Sequence, residues 1–355
     1  MNTDDFSTES VGEQELTTKN RAYAILRNRD LRLYLSGRLV AIIGQQMLAL
    51  AVGWELFHRS ESFMNLSYVG LTQVVPMILL TLPAGHLADN FSRKKIITVM
   101  TLVMALSSLG LALISYYQAP VFWMYVCLFV NGATRTFQTA ASASFLPSLV
   151  ERQDLSRAVN WSATTFQLAS IIGPIAAGGI IWLAGQRAFP IYALNMCGQL
   201  IFCFMMTQIR THHVVAVREK MSFKTLLTGF DFVFHNKIIL GIISLDMFAV
   251  LLGGATALLP VYAKLILSVG PAGLGFLQAA LPIGSLACTF ILAHRPPIQK
   301  AGHSLLWAVT AFGVATIGFG LSRWFWLSFL MLFLCGTVDN VSVVIRHTLV
   351  QLLTP

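Results

Sequence analysis

Long apolar runs separated by short polar and basic segments make up most of this 355-residue chain. Each run has about 18 residues or more, enough for an α-helix to cross a hydrocarbon layer about 30 Å thick. The runs are continuously apolar, whereas a membrane β-barrel would alternate at every second residue. The pattern predicts ten transmembrane helices, at about residues 31–57, 66–88, 96–117, 121–147, 158–184, 189–209, 238–266, 272–293, 304–321 and 324–345.

The longest polar connection divides the predicted helices into six and four. We expect a cytoplasmic tail (1–30), an N-terminal six-helix bundle (31–209), a cytoplasmic linker (210–237) and a four-helix C-terminal bundle (238–355). An internal repeat supports this division. Five residues recur 205 positions later: Gly70, Gln73, Leu87, Ala88 and Lys95 as Gly275, Gln278, Leu292, Ala293 and Lys300. Duplicated halves are typical of transporters that bind substrate at the repeat interface.

Composition and charge agree with a membrane protein. Hydrophobic residues make up 56% of the chain and charged residues 11%, compared with about 25% charged in soluble domains. The net charge of +9 does not indicate a nucleic-acid partner, because the basic residues form short clusters between apolar runs. If the N-terminus is cytoplasmic, seventeen Lys and Arg residues lie on the inside and four on the outside, as the positive-inside rule requires.

Several chemistries are not expected. The five cysteines lie in apolar runs without CxxC pairs or histidines at ligand spacing, so we predict no metal site and no cofactor. A nucleotide-binding GxxxxGK[ST] motif is absent, as are HExxH and GxSxG. These absences argue against an ATP-driven pump and against an integral-membrane enzyme. The expected partners are the lipid bilayer and a small-molecule substrate.

The loop between the second and third predicted helices carries the most specific motif, Gly85-His-Leu-Ala-Asp89-Asn-Phe-Ser-Arg93-Lys94-Lys95. It resembles the G-x-L-x-D-x-x-G-R-K/R-x signature of the major facilitator superfamily, with a serine in place of the second glycine. The resemblance implies an all-α integral membrane fold of twelve helices, of which this chain contains about ten (6 + 4). We expect Gly85 to let helices approach closely and Asp89 to pair with Arg93. In the superfamily, the acid of this motif faces the eleventh helix and stabilises the outward-facing state, so the motif implies a gating role for Gly85, Asp89, Arg93 and Lys94.

Two further segments narrow the resemblance. The pattern Asn28-Arg-Asp-Leu-Arg32-Leu-Tyr-Leu-Ser-Gly-Arg38 resembles the bacterial group that contains enterobactin exporters and macrolide efflux proteins. The segment Gly173-Pro174-Ile-Ala-Ala-Gly178-Gly179 resembles the glycine-proline signature of drug and proton antiporters, although helix packing explains it equally well. This resemblance implies proton-coupled export of a drug or siderophore across the bacterial inner membrane.

Other functions stay open at this stage. The chain stops after the tenth predicted helix, so we expect a C-terminally truncated protein. It would be a monomer unless a separate chain supplies the two missing helices. The alternatives are an inactive remnant, a non-transporting membrane sensor, or uptake or lysophospholipid transport on the same fold.

Ionisable side chains inside the apolar runs are candidate site residues, because burying a charge in the bilayer is costly. They are Arg38, Arg135, Asp246 and Asp339. Arg135 is the best candidate for substrate or proton coupling, since it lies in a polar strip from Asn131 to Gln138. Arg135 and Asp339 each follow a glycine by three residues and are expected to face one cavity from opposite halves. Snorkelling of Arg38 and pairing of the two aspartates with neighbouring helices are the structural alternatives.

Uncharged polar residues add to this set. Gln46 and Gln73 should point inward, with interhelical hydrogen bonding as their default explanation. Glutamine replaces the acid that several relatives carry in the first helix, which leaves Glu55, Asp246 and Asp339 for proton coupling. Trp161, Phe166 and Gln167 are candidates for lining an apolar pocket, although packing is the more common role of aromatic residues in membrane helices.

Overall fold

A computed structural model describes residues 25–60, 62–210, 255–294 and 301–353, together with 240, 241, 244 and 247. Asp246, the predicted linker beyond residue 210 and part of the predicted seventh span lie outside the described residues. The described residues are helical and contain no strand. The helices are α1 (Arg29–Ser60), α2 (Phe63–Asn90), α3 (Arg93–Tyr116), α4 (Val121–Phe145), α5 (Leu155–Leu183), α6 (Phe189–Gln208), α7 (Leu259–Val261), α8 (Gly270–Ala293), α9 (Ala301–Leu321) and α10 (Phe325–Leu353).

Eight of these helices are long and apolar enough to cross a membrane, counting the described residues alone. The 25-residue helix α4 is not among the eight, because Asn131, Arg135 and Gln138 interrupt its apolar sequence. Those residues can cross a bilayer if they face protein or a cavity in place of lipid. The prediction of an all-α, multi-pass membrane fold is confirmed, and the helix count is roughly as expected.

The helices pack as two groups that meet mainly at one end. We call the two ends of the molecule the Arg29 end and the Ser60 end, after the first and last residues of α1. At the Arg29 end, one hydrophobic cluster forms around Tyr34, Phe145 and Phe202, and all its members precede residue 210. A second cluster joins Trp54 of α1 to residues from the later helices, among them Leu259, Tyr262, Leu274 and Leu277. In the described part of the chain, the hydrophobic contact between the groups therefore lies towards the Ser60 end.

Glycines let α5 and α8 approach closely across this junction. A Cβ atom added to Gly178 would collide with the carbonyl oxygen of Pro271, and one added to Gly275 would collide with the carbonyl oxygen of Pro174. Small residues at such crossings allow backbone-to-backbone packing in membranes. The α5–α8 pair is therefore the tightest described connection between the two groups.

The glycine-proline segment of α5 packs on two different helices. A Cβ on Gly173 would lie 2.5 Å from Cβ of Gln46 and 3.0 Å from the carbonyl oxygen of Ile43 in α1. Gly178 faces α8, whereas a Cβ on Gly179 would have no atom within 4 Å. Packing alone thus accounts for Gly173 and Gly178, and Gly179 has open space.

Candidate substrate cavities

Two cavities lie against the middle of α1. The first, which we call the N-terminal cavity, has a volume of about 360 Å³ and is enclosed by α1, α3, α4, α5 and α6. The second, the central cavity, has a volume of about 510 Å³ and lies between α1 and α5 on one side and α8 and α10 on the other. The polar residues lining the N-terminal cavity are Arg38, Gln45, Gln46, Arg135, Gln138, Thr139, Ser142, Ser162 and Gln199.

Arg38 forms one wall of the N-terminal cavity. Its Nη1 donates a hydrogen bond of 2.6 Å to Oγ of Ser162 in α5, and its guanidinium carbon lies 5.8 Å from the ring centre of Tyr34. The side chain is half-buried. These contacts fix the guanidinium at the cavity wall, where it can still donate its other N–H groups to a ligand.

Arg135 projects into the same cavity from α4. Its side chain is exposed to the cavity, and no hydrogen bond or ion pair to it occurs among the described residues. One turn further along α4, Nε2 of Gln138 donates to Oγ1 of Thr101 at 2.9 Å. The polar strip of α4 therefore faces the bundle interior, as the sequence predicts, and leaves the Arg135 guanidinium available.

A buried amide network supports the cavity behind Gln199. Nδ2 of Asn195 donates to Oγ of Ser108 at 2.7 Å, and Nε2 of Gln199 donates to Oδ1 of Asn195 at 3.3 Å and to the carbonyl oxygen of Ala41 at 3.2 Å. Asn195 and Gln199 are fully buried. Polar groups buried in this way hold α3, α6 and α1 in one register, since each lost bond leaves an unsatisfied group.

We expect Asn195→Ala to lower the free energy of unfolding by about 1–3 kcal/mol, because it removes a partner from both Ser108 and Gln199. The measurement is thermal unfolding of the purified protein in detergent. Asn160→Ala, at an exposed position of α5, is the matched control and should change stability by less than about 0.5 kcal/mol. Equal melting temperatures for the two variants would contradict a stabilising network.

The central cavity has fewer charges and crosses between the two groups of helices. Nε2 of Gln46 donates to Oγ of Ser170 at 2.7 Å, and Nε2 of Gln167 donates to the carbonyl oxygen of Pro282 in α8 at 2.6 Å. Asp339 of α10 also lines this cavity. The second bond connects α5 directly to α8 at the level of the cavity, so this wall contains a polar contact between the groups.

The structure places the predicted site residues in different parts of this region. Arg135 lines the N-terminal cavity and Asp339 the adjoining central cavity. Gln73 lines neither cavity. Its backbone packs against Gly132, where an added Cβ would lie 2.9 Å from the Gln73 carbonyl oxygen. Gln46 lines both cavities, which therefore adjoin.

Sequence reasoning missed other lining residues. Phe166 lines both cavities and Gln167 the central one, whereas packing is the favoured sequence interpretation of both. Gln138 is named from the sequence as the end of the polar strip alone, and Gln199 is not among the predicted site residues. The signal available for Gln138 was its position in the polar strip of α4, one turn from Arg135. Gln199 is a lone polar residue in an apolar run, which does not distinguish a cavity from an interhelical hydrogen bond.

The gating motif between α2 and α3 differs from the expected arrangement. A Cβ on Gly85 would have no atom within 4 Å, so Gly85 does not mediate close packing in the described structure. Asp89 is exposed and forms no ion pair with Arg93. Nη1 of Arg93 instead donates to the carbonyl oxygen of Ser144 at 2.9 Å, and Nζ of Lys94 donates to the carbonyl oxygen of Ile209 at 2.7 Å. These basic residues satisfy carbonyl groups at and just beyond helix ends, a common role for Lys and Arg.

A buried ion pair lies away from both cavities, in the last turns of α1. Oε1 of Glu55 is 3.3 Å from Nη1 of Arg59, and Glu55 is 6% exposed. Nη2 of Arg59 donates to the carbonyl oxygen of Ala119 at 2.5 Å. Oε2 of Glu55 has no hydrogen-bond partner among the described residues. The pair neutralises a carboxylate that is otherwise costly in a membrane helix.

The described helices define a multi-pass membrane fold with a cavity between its two groups. The chain is similar to a bacterial homologue of the iron transporter ferroportin in its inward-facing state, with a TM-score of 0.66 and 15% identity, covering 92% of this chain and 84% of that one. It is also similar to the major facilitator superfamily transporter FucP in its outward conformation, with a TM-score of 0.61 and 12% identity, covering 90% and 83%. The fold is therefore the major facilitator fold, whose members are in general transporters and not enzymes.

The sequence identifies the family. The family model described as transmembrane secretion effector matches residues 20–355, and the chain belongs to that family. It is 25% identical over 328 residues to the enterobactin exporter EntS of Escherichia coli O1:K1, covering 91% of this chain and 77% of the relative. The resemblance to the major facilitator superfamily and to its enterobactin exporters is thus confirmed.

Proposed function

We propose that this protein exports a small amphipathic solute across the bacterial inner membrane by alternating access, driven by the proton gradient. The observation that carries the proposal is the central cavity, a space of about 510 Å³ lined by α1 and α5 from one group of helices and by α8 and α10 from the other. A site between two groups of helices can be exposed to either side when the groups rock against each other. The similarity to an enterobactin exporter supports export over uptake.

The packing supports an inward-facing state, given the cytoplasmic N-terminus that the positive charges favour. The hydrophobic contact between the groups lies at the Ser60 end, where Trp54 clusters with Leu259 and Leu277. At the Arg29 end, the described cluster contains residues from the first group alone. In this orientation the Ser60 end is periplasmic and closed, so substrate would enter from the cytoplasm. Asp89 is exposed and has no ion-pair partner among the described residues, which agrees with this state, because in the superfamily the motif acid stabilises the outward-facing one.

Proton coupling is assigned to Asp339, the carboxylate that lines the central cavity among the described residues. A carboxylate in the substrate cavity can bind a proton when the cavity faces one side of the membrane and release it when the cavity faces the other. It can in this way couple proton movement to substrate movement. Glu55 lies outside the cavities and is already paired with Arg59. Asp339→Asn should therefore uncouple transport from the gradient, while Glu55 has a structural role.

The first test is efflux. A bacterial strain without its own enterobactin exporter would express this chain, and enterobactin in the medium would be measured with and without a protonophore. We expect secretion to rise at least about threefold over the empty vector and to return to the vector level when the gradient is collapsed. In a second strain, efflux of a panel of macrolides and cationic dyes would be measured to cover other amphipathic substrates.

Failure of the proposal has a distinct signature. If neither enterobactin nor any compound of the panel moves under an imposed gradient, although the protein is present and folded in the membrane, the transport proposal is wrong for this chain. Export that persists after the gradient is collapsed would retain transport and reject proton coupling.

A further inference from the structure

The N-terminal cavity is lined by cations without a carboxylate. Arg38 and Arg135 are the charged residues in its wall, and the remaining polar residues are amides and hydroxyls. Asp339 lies in the neighbouring central cavity, and the other described acids do not line either space. The cavity thus carries two formal positive charges with no counter-charge in its own wall.

Several hydrogen-bond donors in this wall also have no acceptor among the described residues. The Arg135 guanidinium has no partner among the described residues, and Nε2 of Gln45 is buried without an acceptor there. Nη1 of Arg38 donates to Ser162 and, at 3.5 Å, to the hydroxyl of Tyr34, which leaves Nε and Nη2 without an acceptor among the described residues. Buried polar groups normally find partners, so a donor-rich wall of this kind is complementary to a ligand that supplies acceptors.

Two arginines in a membrane cavity favour an anionic acceptor most strongly. The guanidinium binds carboxylate and phosphate oxygens through paired N–H groups, and such charge-assisted bonds are stronger than neutral ones. A cationic ligand would meet uncompensated repulsion at the same place. The wall therefore discriminates between ligands by the sign of their charge.

The apolar part of the wall specifies the remainder of the ligand. Met104, Phe166 and Phe202 line the N-terminal cavity beside the arginines. Phe166 and Gln46 also line the central cavity, so a ligand can extend from one space into the other. Pockets with a few placed polar groups on an apolar surface are typical of small-molecule sites.

We propose that the substrate is an amphipathic anion, with its acidic group bound between Arg38 and Arg135 in the N-terminal cavity and its apolar or aromatic body extending past Phe166 into the central cavity. The acidic group is a carboxylate, an ionised phenol, a phosphate or a sulfonate. This inference rests on the proposed transport function for its biological meaning, but the binding it describes is measurable without transport.

The test uses three fluorescent probes that differ in charge: dansylglycine (anionic), dansylglycinamide (neutral) and dansylcadaverine (cationic). Binding to the purified protein in a neutral detergent is followed by dansyl emission at pH 7.5. We expect dansylglycine to bind at least about tenfold more tightly than either other probe, as one charge-assisted interaction would provide.

The variants locate the effect. Arg135→Gln should reduce the preference for dansylglycine to less than about threefold, and Arg135→Lys should restore most of it. Arg135 has no partner to lose among the described residues, so these variants should remain folded, which their melting temperatures will check. Arg152→Gln, which removes an exposed arginine outside both cavities, is the matched control and should bind like the wild type.

Every outcome decides the proposal. Equal binding of the three probes, tighter binding of dansylcadaverine, or an unchanged preference in Arg135→Gln would overturn it. Competition by phosphatidylglycerol but not by benzoate would support anion binding with a lipid as its source, and competition by benzoate would support a soluble substrate. If the preference holds but no efflux is found, the transport proposal fails and the anion site stands; if efflux occurs with cationic substrates alone, the reverse is true.

Discussion

Gly178→Val is expected to abolish transport, whereas Gly179→Val, one residue further along the same helix, should leave it near the wild-type rate. The two glycines differ in what an added side chain would meet. A Cβ on Gly178 collides with backbone atoms of Pro271 in α8, while a Cβ on Gly179 has no atom within 4 Å. Backbone cannot move aside as the end of a flexible side chain can, so α5 and α8 must separate.

Separating α5 from α8 destabilises the conformation that is closed at the Ser60 end more than the conformation that is open there. The Gly178–Pro271 contact belongs to the junction that closes the Ser60 end. Overpacking costs about 1–3 kcal/mol at a well-packed contact, and each 1.4 kcal/mol changes a population ratio about tenfold. A two-state transporter held away from its closed Ser60 end would stop cycling without unfolding. Gly275→Val, on the facing surface of α8, should have the same effect.

The measurement is the efflux rate at matched membrane expression, with thermal unfolding as the check on folding. Gly178→Val should retain a melting temperature close to that of Gly179→Val while losing transport. If both variants transport equally, α5 and α8 are not required to approach in the cycle. If Gly178→Val simply unfolds, Gly178→Ala, which adds one carbon, should show a partial loss of rate at near-native stability.

Much of the architecture follows from apolar run length, because a segment surrounded by lipid must satisfy its backbone internally and can do so as a helix. The runs predicted at 31–57 and 66–88 correspond to Arg29–Ser60 and Phe63–Asn90. The inward direction of Arg135 could also be predicted, since its strip of polar neighbours is incompatible with lipid contact. Each of those predictions needs the sequence of one helix alone.

The failed expectations all depend on how two helices are placed relative to each other. Asp89 and Arg93 have a spacing that permits an ion pair, but Arg93 reaches the carbonyl of Ser144 on α4 instead. Gly85 looks like a packing glycine and has open space, whereas Gly275 packs tightly. The equivalent repeat positions Gly70 and Gly275 differ in the same way, so sequence identity within the repeat did not predict which copy would be in contact.

Membership of the cavities was unpredictable for a similar reason. Arg135 and Asp339 occupy nearly matching places in the repeat, one position apart, yet they line different spaces. Gln46 and Phe166 line both, which depends on the crossing of α1 and α5 rather than on either sequence alone. Residue type identified the polar candidates, and the packing of the helices determined which of them can contact one ligand.

Arg59→Met is expected to destabilise the protein by about 3–5 kcal/mol, the cost of leaving one partner of a buried ion pair uncompensated. The side chains of Arg59 and Glu55 are 15% and 7% exposed, and their charged atoms lie 3.3 Å apart. Removing the guanidinium leaves the Glu55 carboxylate without its cation and also removes the donor to the Ala119 carbonyl.

The double variant separates the charge from the packing. Replacing both members of a buried pair by apolar residues is often neutral, so Glu55→Met with Arg59→Met should recover most of the stability lost in Arg59→Met alone. Arg157→Met is the matched control, because the Arg157–Asp154 pair has side chains 38% and 31% exposed and should contribute less than about 1 kcal/mol. Melting temperatures in detergent provide the comparison. Equal losses of stability in Arg59→Met and Arg157→Met would show that Glu55 is solvated. If the double variant is no more stable than Arg59→Met, the loss comes from the Ala119 contact and not from the charge.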